Sequence, residues 1–558
     1  MIQTKSNSMK QKIAYFSMEI ALSNDIHTYS GGLGVLAGDS IRSSADLRLP
    51  LVAVTLLSKK GYFKQELTPE GKQLEHQYPW NPSEFMLLLP EEVKVQIQGR
   101  DVRVTAWLYT VKSQTGGVVP VYFLDTDVEG NNPEDREISS FLYGGDERYR
   151  LKQEIVLGFG GVRMLEKLGI EVRRFHLNEG HSSLLTFELL RKYDMDFEKV
   201  KDLCVFTTHT PIEAGHDKFS YGLVEEVLGD FVSLEVLKRL GGYDRLNMTL
   251  LALNLSNFVN GVAKRHQKVT TEMFPSYEIH AITNGVHPFT WTCESFQKLY
   301  DEFIPGWAYE PSLLVRVDAI PDEKIWQAHK EAKKVLIDHV NKVANVGMDY
   351  EVLTIGFARR ATEYKRANLL FSDIERLKKI TLKGKIQIIF AGKAHPKDYT
   401  GKGLIEQIYS YSEKLRDYIK IVYLENYDMA TAAKTVAGVD IWLNTPMPPQ
   451  EASGTSGMKA ALNGVINFSV LDGWWIEGWI EGVTGWAIGP NFEAHGSLAD
   501  RATAELDDLY NKLEYVIIPM FYNRKDEWVK LMKNSMGKIP IYFNSHRMMR
   551  RYVTEAYL

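Results

Sequence analysis

The chain has 558 residues, of which 44% are hydrophobic, and its 66 lysines and arginines nearly balance 71 aspartates and glutamates. That composition excludes a collagen, a coiled coil and a long disordered chain, and the net charge of −5 gives no electrostatic reason to expect nucleic acid. The two cysteines, Cys204 and Cys293, cannot staple a chain this long, so a disulfide framework is excluded and two buried structural thiols are expected.

In chain order, Met1 to Gln11 is polar and basic and lacks the apolar core of a secretory signal. No apolar run reaches the roughly 18 residues that a spanning helix needs. A cytoplasmic location without membrane contact is therefore expected. Short apolar runs follow, read as strands at Ile13–Ser17, Leu51–Leu57, Val102–Thr110, Val119–Leu124, Arg173–Leu177 and Leu203–Thr207. Turn and breaker signals crowd Thr283–Pro311, with Asn284-Gly285, Pro288, Pro305-Gly306 and Pro311. A second series of strands is read at Val352–Phe357, Ile386–Phe390, Ile419–Leu424, Ile441–Leu443 and Val465–Val470. Helical patterns separate the strands, as at Glu154–Leu168, Ala328–Val343 and Gly403–Tyr418.

Continuous apolar strands alternating with helices predict an α/β fold with parallel sheets. The expected organisation is two doubly wound domains, 1–290 and 291–520, with a cleft between them. The helical, basic stretch Leu513–Leu558 comes last, and its 521–558 part is expected to rejoin the first domain. Open parallel sheets bind ligands at the carboxyl ends of their strands, so both domains would turn their loops to that cleft.

No Walker A loop and no His-Glu-x-x-His motif occur, and two cysteines cannot build a Cys-rich zinc site, so no metal is expected. Gly31-Gly32-Leu33-Gly34 opens a helical pattern, where exposed backbone N–H groups suit an anion. A tight structural turn explains it equally well. Glu451-Ala452-Ser453-Gly454-Thr455-Ser456-Gly457-Met458-Lys459 leads from small residues into a helix. Such a turn lets amides approach a phosphate closely. Its lysine is either a counter-charge or an imine-forming amine, and elementary chemistry alone favours the counter-charge. Arg359-Arg360-Ala361-Thr362-Glu363-Tyr364-Lys365-Arg366 places four cations directly after a buried strand. That is either a solvated face or an anion site, in which arginine grips phosphate bidentately and lysine acts as a point charge.

Together these segments resemble the α-glucan phosphorylases, the family of glycogen, starch and maltodextrin phosphorylases. Glu451–Lys459, continued by Ala460-Ala461-Leu462-Asn463-Gly464, is similar to the family's pyridoxal phosphate attachment segment. Arg359–Arg366 resembles its phosphate motif, and Gly31–Gly34 its glycine loop. Asn178–His181, Thr208-His209-Thr210, Thr283-Asn284-Gly285-Val286 with Trp291, and Glu425-Asn426-Tyr427 match further segments in family order.

The resemblance implies two facing Rossmann-like domains of the GT-B type. It implies reversible phosphorolysis of an α-1,4-glucan (maltodextrin, glycogen or starch), releasing α-D-glucose 1-phosphate with retained configuration. The 5′-phosphate of pyridoxal phosphate would act as acid and base on the substrate phosphate, with Lys459 as the imine-forming lysine. Carried over residue by residue, Arg360 and Lys365 would clamp the substrate phosphate, assisted by the Gly32 and Gly34 amides. Arg359, Tyr427 and Thr455 would hold the cofactor phosphate, and Trp291 would lie near its ring. Asn284, Glu451 and Gly454 would bind sugar hydroxyls. His209 would contact the primary hydroxyl and turn its backbone carbonyl towards C1, and His181 would support the site. A homodimer is expected. The chain is shorter than the animal enzymes, and neither a counterpart of their regulatory extension nor allosteric control is expected.

Two rival readings follow from the same residues. A nucleotide-sugar-dependent glucan synthase would share the glycine loop and paired cations but has no use for the Lys459 segment. A glucan-binding protein without turnover is suggested by Trp474, Trp475, Trp479 and Trp486, which would either stack on sugars or pack as core.

Overall fold

Apolar runs and helices assemble into two main sheets, one in each of two units. The structure, a computed structural model, describes residues 11–490 and 498–558. The first unit is formed by the chain up to Phe63, by Gln77–Thr283 and by Met548–Leu558. The second takes Lys64–His76 and Asn284–Arg547.

The nine strands of the first sheet lie in the order His280–Ala281, Phe258–Gly261, Cys204–Thr207, Val172–Asn178, Lys12–Ser17, Leu51–Leu56, Val118–Asp125, Arg100–Lys112, Leu87–Ile97. Pairing is parallel as far as Val118–Asp125, and the last two pairings, through Arg100–Lys112, are antiparallel. Central strands such as Leu51–Leu56 are buried on both faces, in keeping with a sequence that is apolar except at Thr55. The expectation of a parallel strand at Val102–Thr110 is corrected. Val102, Val104 and Ala106 are buried while Asp101 and Arg103 face out, the alternation of an antiparallel strand with one wet face.

The chain returns to this unit with Met548–Leu558. Tyr557 Oη lies 2.6 Å from His176 Nδ1, and Tyr552 Oη accepts from Asn260 Nδ2 at 3.0 Å and meets Thr207 Oγ1 at 3.1 Å. The Tyr557 hydroxyl thus partners His176 Nδ1, and the Tyr552 hydroxyl joins a buried network in which Thr207 already meets His176 and Asn260.

The second sheet has six strands, all parallel, in the order Lys420–Leu424, Ile386–Ala391, Leu353–Ala358, Ile441–Asn444, Ile466–Val470, Gly485–Ile488. A small hairpin, Lys64–Leu67 with Gln73–His76, also belongs to this unit. Helices Ile518–Asn523 and Lys525–Lys538 lie in the second unit as well. Trp474, Trp475 and Trp486 are buried. Trp474 packs on Trp475 and Phe543, and Trp486 on Trp528. Those three are core residues, which leaves half-buried Trp479 as the sole member of the cluster with exposed ring surface. Both cysteines are free. Cys204 is buried and Cys293 half-buried.

Candidate active site

Numbered along the chain, the second sheet runs 3-2-1-4-5-6, so its winding reverses between Leu353–Ala358 and Ile441–Asn444. Ligands of open parallel sheets settle at the carboxyl ends of the strands beside such a reversal. The cationic segment Arg359–Arg366 emerges there, and the structure sorts its four charges. Arg359 Nη2 donates to Glu451 Oε2 at 2.7 Å, and the Lys365 ammonium pairs with the same oxygen. Arg366 is structural, bonding the carbonyls of Thr445 at 2.9 Å and Pro446 at 2.7 Å and pairing with Glu505 at 2.6 Å. Arg360 is exposed. The hydroxyl of Thr445 in turn donates to the Lys365 carbonyl at 3.0 Å, so the loops after the two central strands are laced together.

Burial alone would push the Glu451 carboxyl up, but the Arg359 guanidinium and Lys365 ammonium outweigh it and hold it at about 2. Two cations and one carboxylate leave a net positive cradle that is nearly closed to water. A Cβ at Gly454 would stand 3.5 Å from Glu451 Oε1 and 3.7 Å from Arg359 Nη2, so this glycine lines the same place. The loop is anchored by Asp472, whose carboxylate accepts the Glu451 and Gly473 N–H groups at 2.9 Å each. Burial, with the Glu451 charge, pushes the Asp472 carboxyl up to about 7 against those two donors.

Lys459 lies on the short helix Ser456–Ala461, whose N-cap Thr455 makes no side-chain cap bond. Its Nζ stands 3.8 Å from the centre of the Trp291 ring, and both residues are buried. Asn463 fixes this cation–π pair. Its Nδ2 donates to the carbonyls of Trp291 at 2.8 Å and Lys459 at 3.0 Å, while its Oδ1 accepts the Cys293 N–H at 2.8 Å. Asn284 is buried with its Oδ1 unpartnered. Tyr427 is half-buried in the loop after Lys420–Leu424.

In the first unit, Gly31 caps helix Gly32–Asp46. Gly34 must be glycine, because a Cβ there would stand 2.7 Å from both Glu19 Oε2 and Tyr29 Cβ. Nothing lies within 4 Å of the Cβ position of Gly32. Glu19 shapes the turn, its Oε2 accepting the N–H groups of Ser30 at 2.6 Å and Gly31 at 3.1 Å, and its Oε1 the Tyr143 hydroxyl at 3.0 Å.

Asn178 Nδ2 donates to Ser17 Oγ at 3.1 Å, and Ser17 Oγ donates to the Glu19 carbonyl at 2.8 Å. That leaves Asn178 Oδ1 to face His209 Nε2 at 2.7 Å, so the imidazole donates through Nε2 and keeps Nδ1 as its acceptor. Burial, reinforced by neighbouring histidines, lowers His209 to about 3 and keeps it neutral. Glu179, in the left-handed region at φ 75°, accepts the His209 N–H at 2.7 Å and the Thr210 hydroxyl at 3.0 Å. His181 Nε2 accepts from Arg150 Nη2 at 3.1 Å, and Asp217 pairs with that guanidinium at 3.1 Å. Burial, aided by Arg150, lowers His181 to about 4, and its Nδ1 is buried without a partner.

The structure thus brings Arg359, Lys365, Glu451 and Gly454 together, and separately Lys459 with Trp291. Sequence reasoning missed Glu19, Glu179, Arg150, Asp217, Asn463 and Asp472. Asn463 and Glu179 lie inside segments already singled out, whereas nothing local marks Glu19.

A net positive cradle at the winding reversal of a parallel sheet belongs to the class of sites suited to anionic ligands. Comparison with known proteins narrows that class. The family model described as carbohydrate phosphorylase matches residues 233–485. The chain is 42% identical to maltodextrin phosphorylase of Thermococcus litoralis, over 98% of this chain and 70% of that one. It is 39% identical to glycogen phosphorylase of Aquifex aeolicus, over 99% of this chain and 87% of that one. An uncharacterized protein of Methanocaldococcus jannaschii is 33% identical, over 98% of this chain and 99% of its own. The chain belongs to the carbohydrate phosphorylase family.

Proposed function

We propose that the chain catalyses the reversible phosphorolysis of α-1,4-glucans such as maltodextrin, glycogen or starch. Inorganic phosphate bonds to C1 of the terminal sugar and displaces the shortened glucan, which leaves with the glycosidic oxygen and a proton, so that the sugar is released as α-D-glucose 1-phosphate with its configuration retained. The observation that carries this reading is the buried Lys459 amine on the face of Trp291, on the same segment as Glu451 of the Arg359–Lys365 cradle. A nucleotide-sugar synthase gives that amine no task.

The residues fit pyridoxal 5′-phosphate. A buried primary amine stands against a flat indole, and the nearby Thr455 hydroxyl is not spent on capping its helix. Lys459 would hold the group covalently, Trp291 would lie beside its ring, and Arg359, Tyr427 and Thr455 would bind its phosphate. When bound, the group supplies a phosphate monoester with a second pKa of about 6, suited to proton exchange near neutrality.

The chain's own residues do the rest. Arg360 and Lys365 bind the substrate phosphate, with the Gly32 and Gly34 amides as further donors. Two phosphates side by side repel strongly unless cations surround them, and the excess positive charge of the cradle serves that need. Glu451, Gly454 and the unpartnered Asn284 Oδ1 receive sugar hydroxyls. His209, fixed by Asn178 and Glu179, presents Nδ1 to the primary hydroxyl and its carbonyl to the charge that develops at C1. This reading includes the family's arrangement of two facing Rossmann-like lobes that serve one substrate, and a cytoplasmic location.

The test is release of glucose 1-phosphate from maltose, maltodextrins and glycogen, with and without added cofactor. Borohydride reduction and peptide mapping accompany it. Phosphate-dependent release and a label on Lys459 are expected. Folded protein that shows neither overturns the proposal, and sugar incorporation from ADP- or UDP-glucose without the cofactor selects the synthase instead.

A further inference from the structure

The hairpin Lys64–His76 interrupts the sequence of the first unit but folds with the second. Its buried polar side chains grip the backbone at the carboxyl ends of two strands. Ala358, Ala391 and Leu424 end three neighbouring strands in register. The next residues are therefore Arg359 on one strand, Gly392 on the second and Glu425-Asn426-Tyr427 on the third. Gln65 spans the last two loops. Its Nε2 donates to the Gly392 carbonyl at 3.0 Å, its Oε1 accepts the Asn426 N–H at 2.9 Å, and its own N–H donates to Asn426 Oδ1 at 3.2 Å. Gln73 supports it, with its Oε1 accepting from Gln65 Nε2 at 2.9 Å and from the Ala394 N–H at 2.9 Å, and its Nε2 donating to the Ala394 carbonyl at 2.9 Å.

Both gripped residues have unusual backbones. Asn426 is left-handed at φ 48°. Gly392, at φ 142°, lies so close to the Arg359 carbonyl that a Cβ would collide with it. The Arg359 N–H in turn donates to the Ala391 carbonyl at 3.0 Å. A shift of Gly392 thus moves Arg359, and a shift of Asn426 moves Tyr427.

We propose that Gln65 is a positioning residue for the phosphate site, a two-pronged clamp that sets the spacing between the loops carrying Arg359 and Tyr427. The inference rests on the reading of those two residues as ligands of the cofactor phosphate. Gln65 touches no reacting atom. It acts by holding two strained loops in one arrangement, and a buried carboxamide that can both donate and accept is what that task needs.

The test uses holoenzyme with Gln65→Ala or Gln65→Glu beside the unaltered chain. Glutamate keeps the acceptor for Asn426 but has no N–H for Gly392. Retention of pyridoxal 5′-phosphate is read by absorbance during equilibrium dialysis, KM is measured separately for phosphate and maltodextrin, and thermal unfolding is followed by circular dichroism. For Gln65→Ala, cofactor retention should weaken and phosphate KM rise by about tenfold, with maltodextrin KM within about twofold of the unaltered value. Gln65→Glu, whose carboxylate would face the Gly392 carbonyl and Gln73 Oε1, should lose at least as much as Gln65→Ala, and whichever of the two variants folds carries the test alone. Unchanged retention and unchanged phosphate KM overturn the proposal. So does a parallel loss of both KM values in step with the melting temperature, which marks a merely structural residue. If the unaltered chain holds no cofactor and releases no glucose 1-phosphate, the proposed function itself fails and takes this inference with it.

Discussion

The Arg359 guanidinium and the Glu451 carboxylate meet at 2.7 Å with both side chains about nine-tenths buried, and Lys365 shares the same carboxylate oxygen. One anion thereby holds two cations in place before any ligand arrives. Removing one partner of a buried ion pair leaves uncompensated charge and costs on the order of 3–5 kcal/mol. Glu451→Gln should therefore melt earlier than the unaltered protein in anion-free buffer. Sulfate or phosphate should restore it, because either anion can replace the lost counter-charge. Phosphorolysis should fall by about 100-fold or more, since the proposed sugar contact and the cradle geometry would be lost together. A thermal-shift titration decides the matter, and an anion response no larger than that of the unaltered protein refutes the charge argument.

Asn463 makes a second prediction. Its carboxamide satisfies two buried carbonyls, on Trp291 and Lys459, and the partly buried Cys293 N–H. Asn463→Leu fills much of the space but strands all three, at about 1–3 kcal/mol for each group left unpaired. Calorimetry should show a lowered melting temperature, and absorbance should show faster loss of pyridoxal phosphate, because the Lys459–Trp291 pair loses its brace. A variant that melts early yet keeps the cofactor as well as the parent would separate Asn463 from the cofactor site.

How much of this was legible in the sequence depends on range. Strands such as Leu51–Leu56 and Ile386–Ala391 are apolar but for one residue each, Thr55 and Gln387, because both faces are buried, so they can be read locally. Leu87–Ile97 is hidden by Pro90 and the polar residues Glu91, Glu92, Lys94 and Gln96, and Gly485–Ile488 by its brevity. The cationic and lysine segments were visible as motifs. Which cations serve the cradle was not, because Arg366 is drawn away by Glu505 and two carbonyls that lie far along the chain. The allegiance of Lys64–His76 to the second unit rests on hydrogen bonds from Gln65 and Gln73 to residues more than 300 positions later. No pattern within the hairpin announces them.

His209 gives a prediction about pH. Burial lowers its pKa to about 3, well below the ordinary value of 6.5. The ring is therefore neutral throughout the working range, and protonating it costs stability only as the pH falls below 6.5. The pH profile of kcat/KM between 5 and 8 should contain no step from this residue. His209→Asn, which retains a hydrogen-bonding side chain, should lower kcat without moving the acid limb of the profile. A limb that disappears in the variant would show that His209 titrates and would contradict its burial.

Asp472 has the opposite sign. Its carboxyl is raised from 3.8 to about 7 in the folded chain. Between those values the folded protein keeps a proton that the unfolded chain has released, so this group's contribution to stability is full below about pH 4. The contribution is lost as pH rises towards 7. The slope from one such proton is at most about 1.4 kcal/mol per pH unit. Glu451, held at about 2, contributes in the reverse direction, its stabilisation being lost only as pH falls from about 4 to 2. The two windows barely overlap and can be measured separately. Asp472→Asn should remove the slope between pH 4 and 7 while leaving the loss below pH 4 in place. It should also loosen the Glu451 loop, because an amide can accept only one of the two N–H groups that the carboxylate now holds. Unfolding midpoints of parent and variant, taken at half-unit pH steps, check both statements. Parallel curves from pH 4 to 7 would show that Asp472 is already ionised in the folded protein.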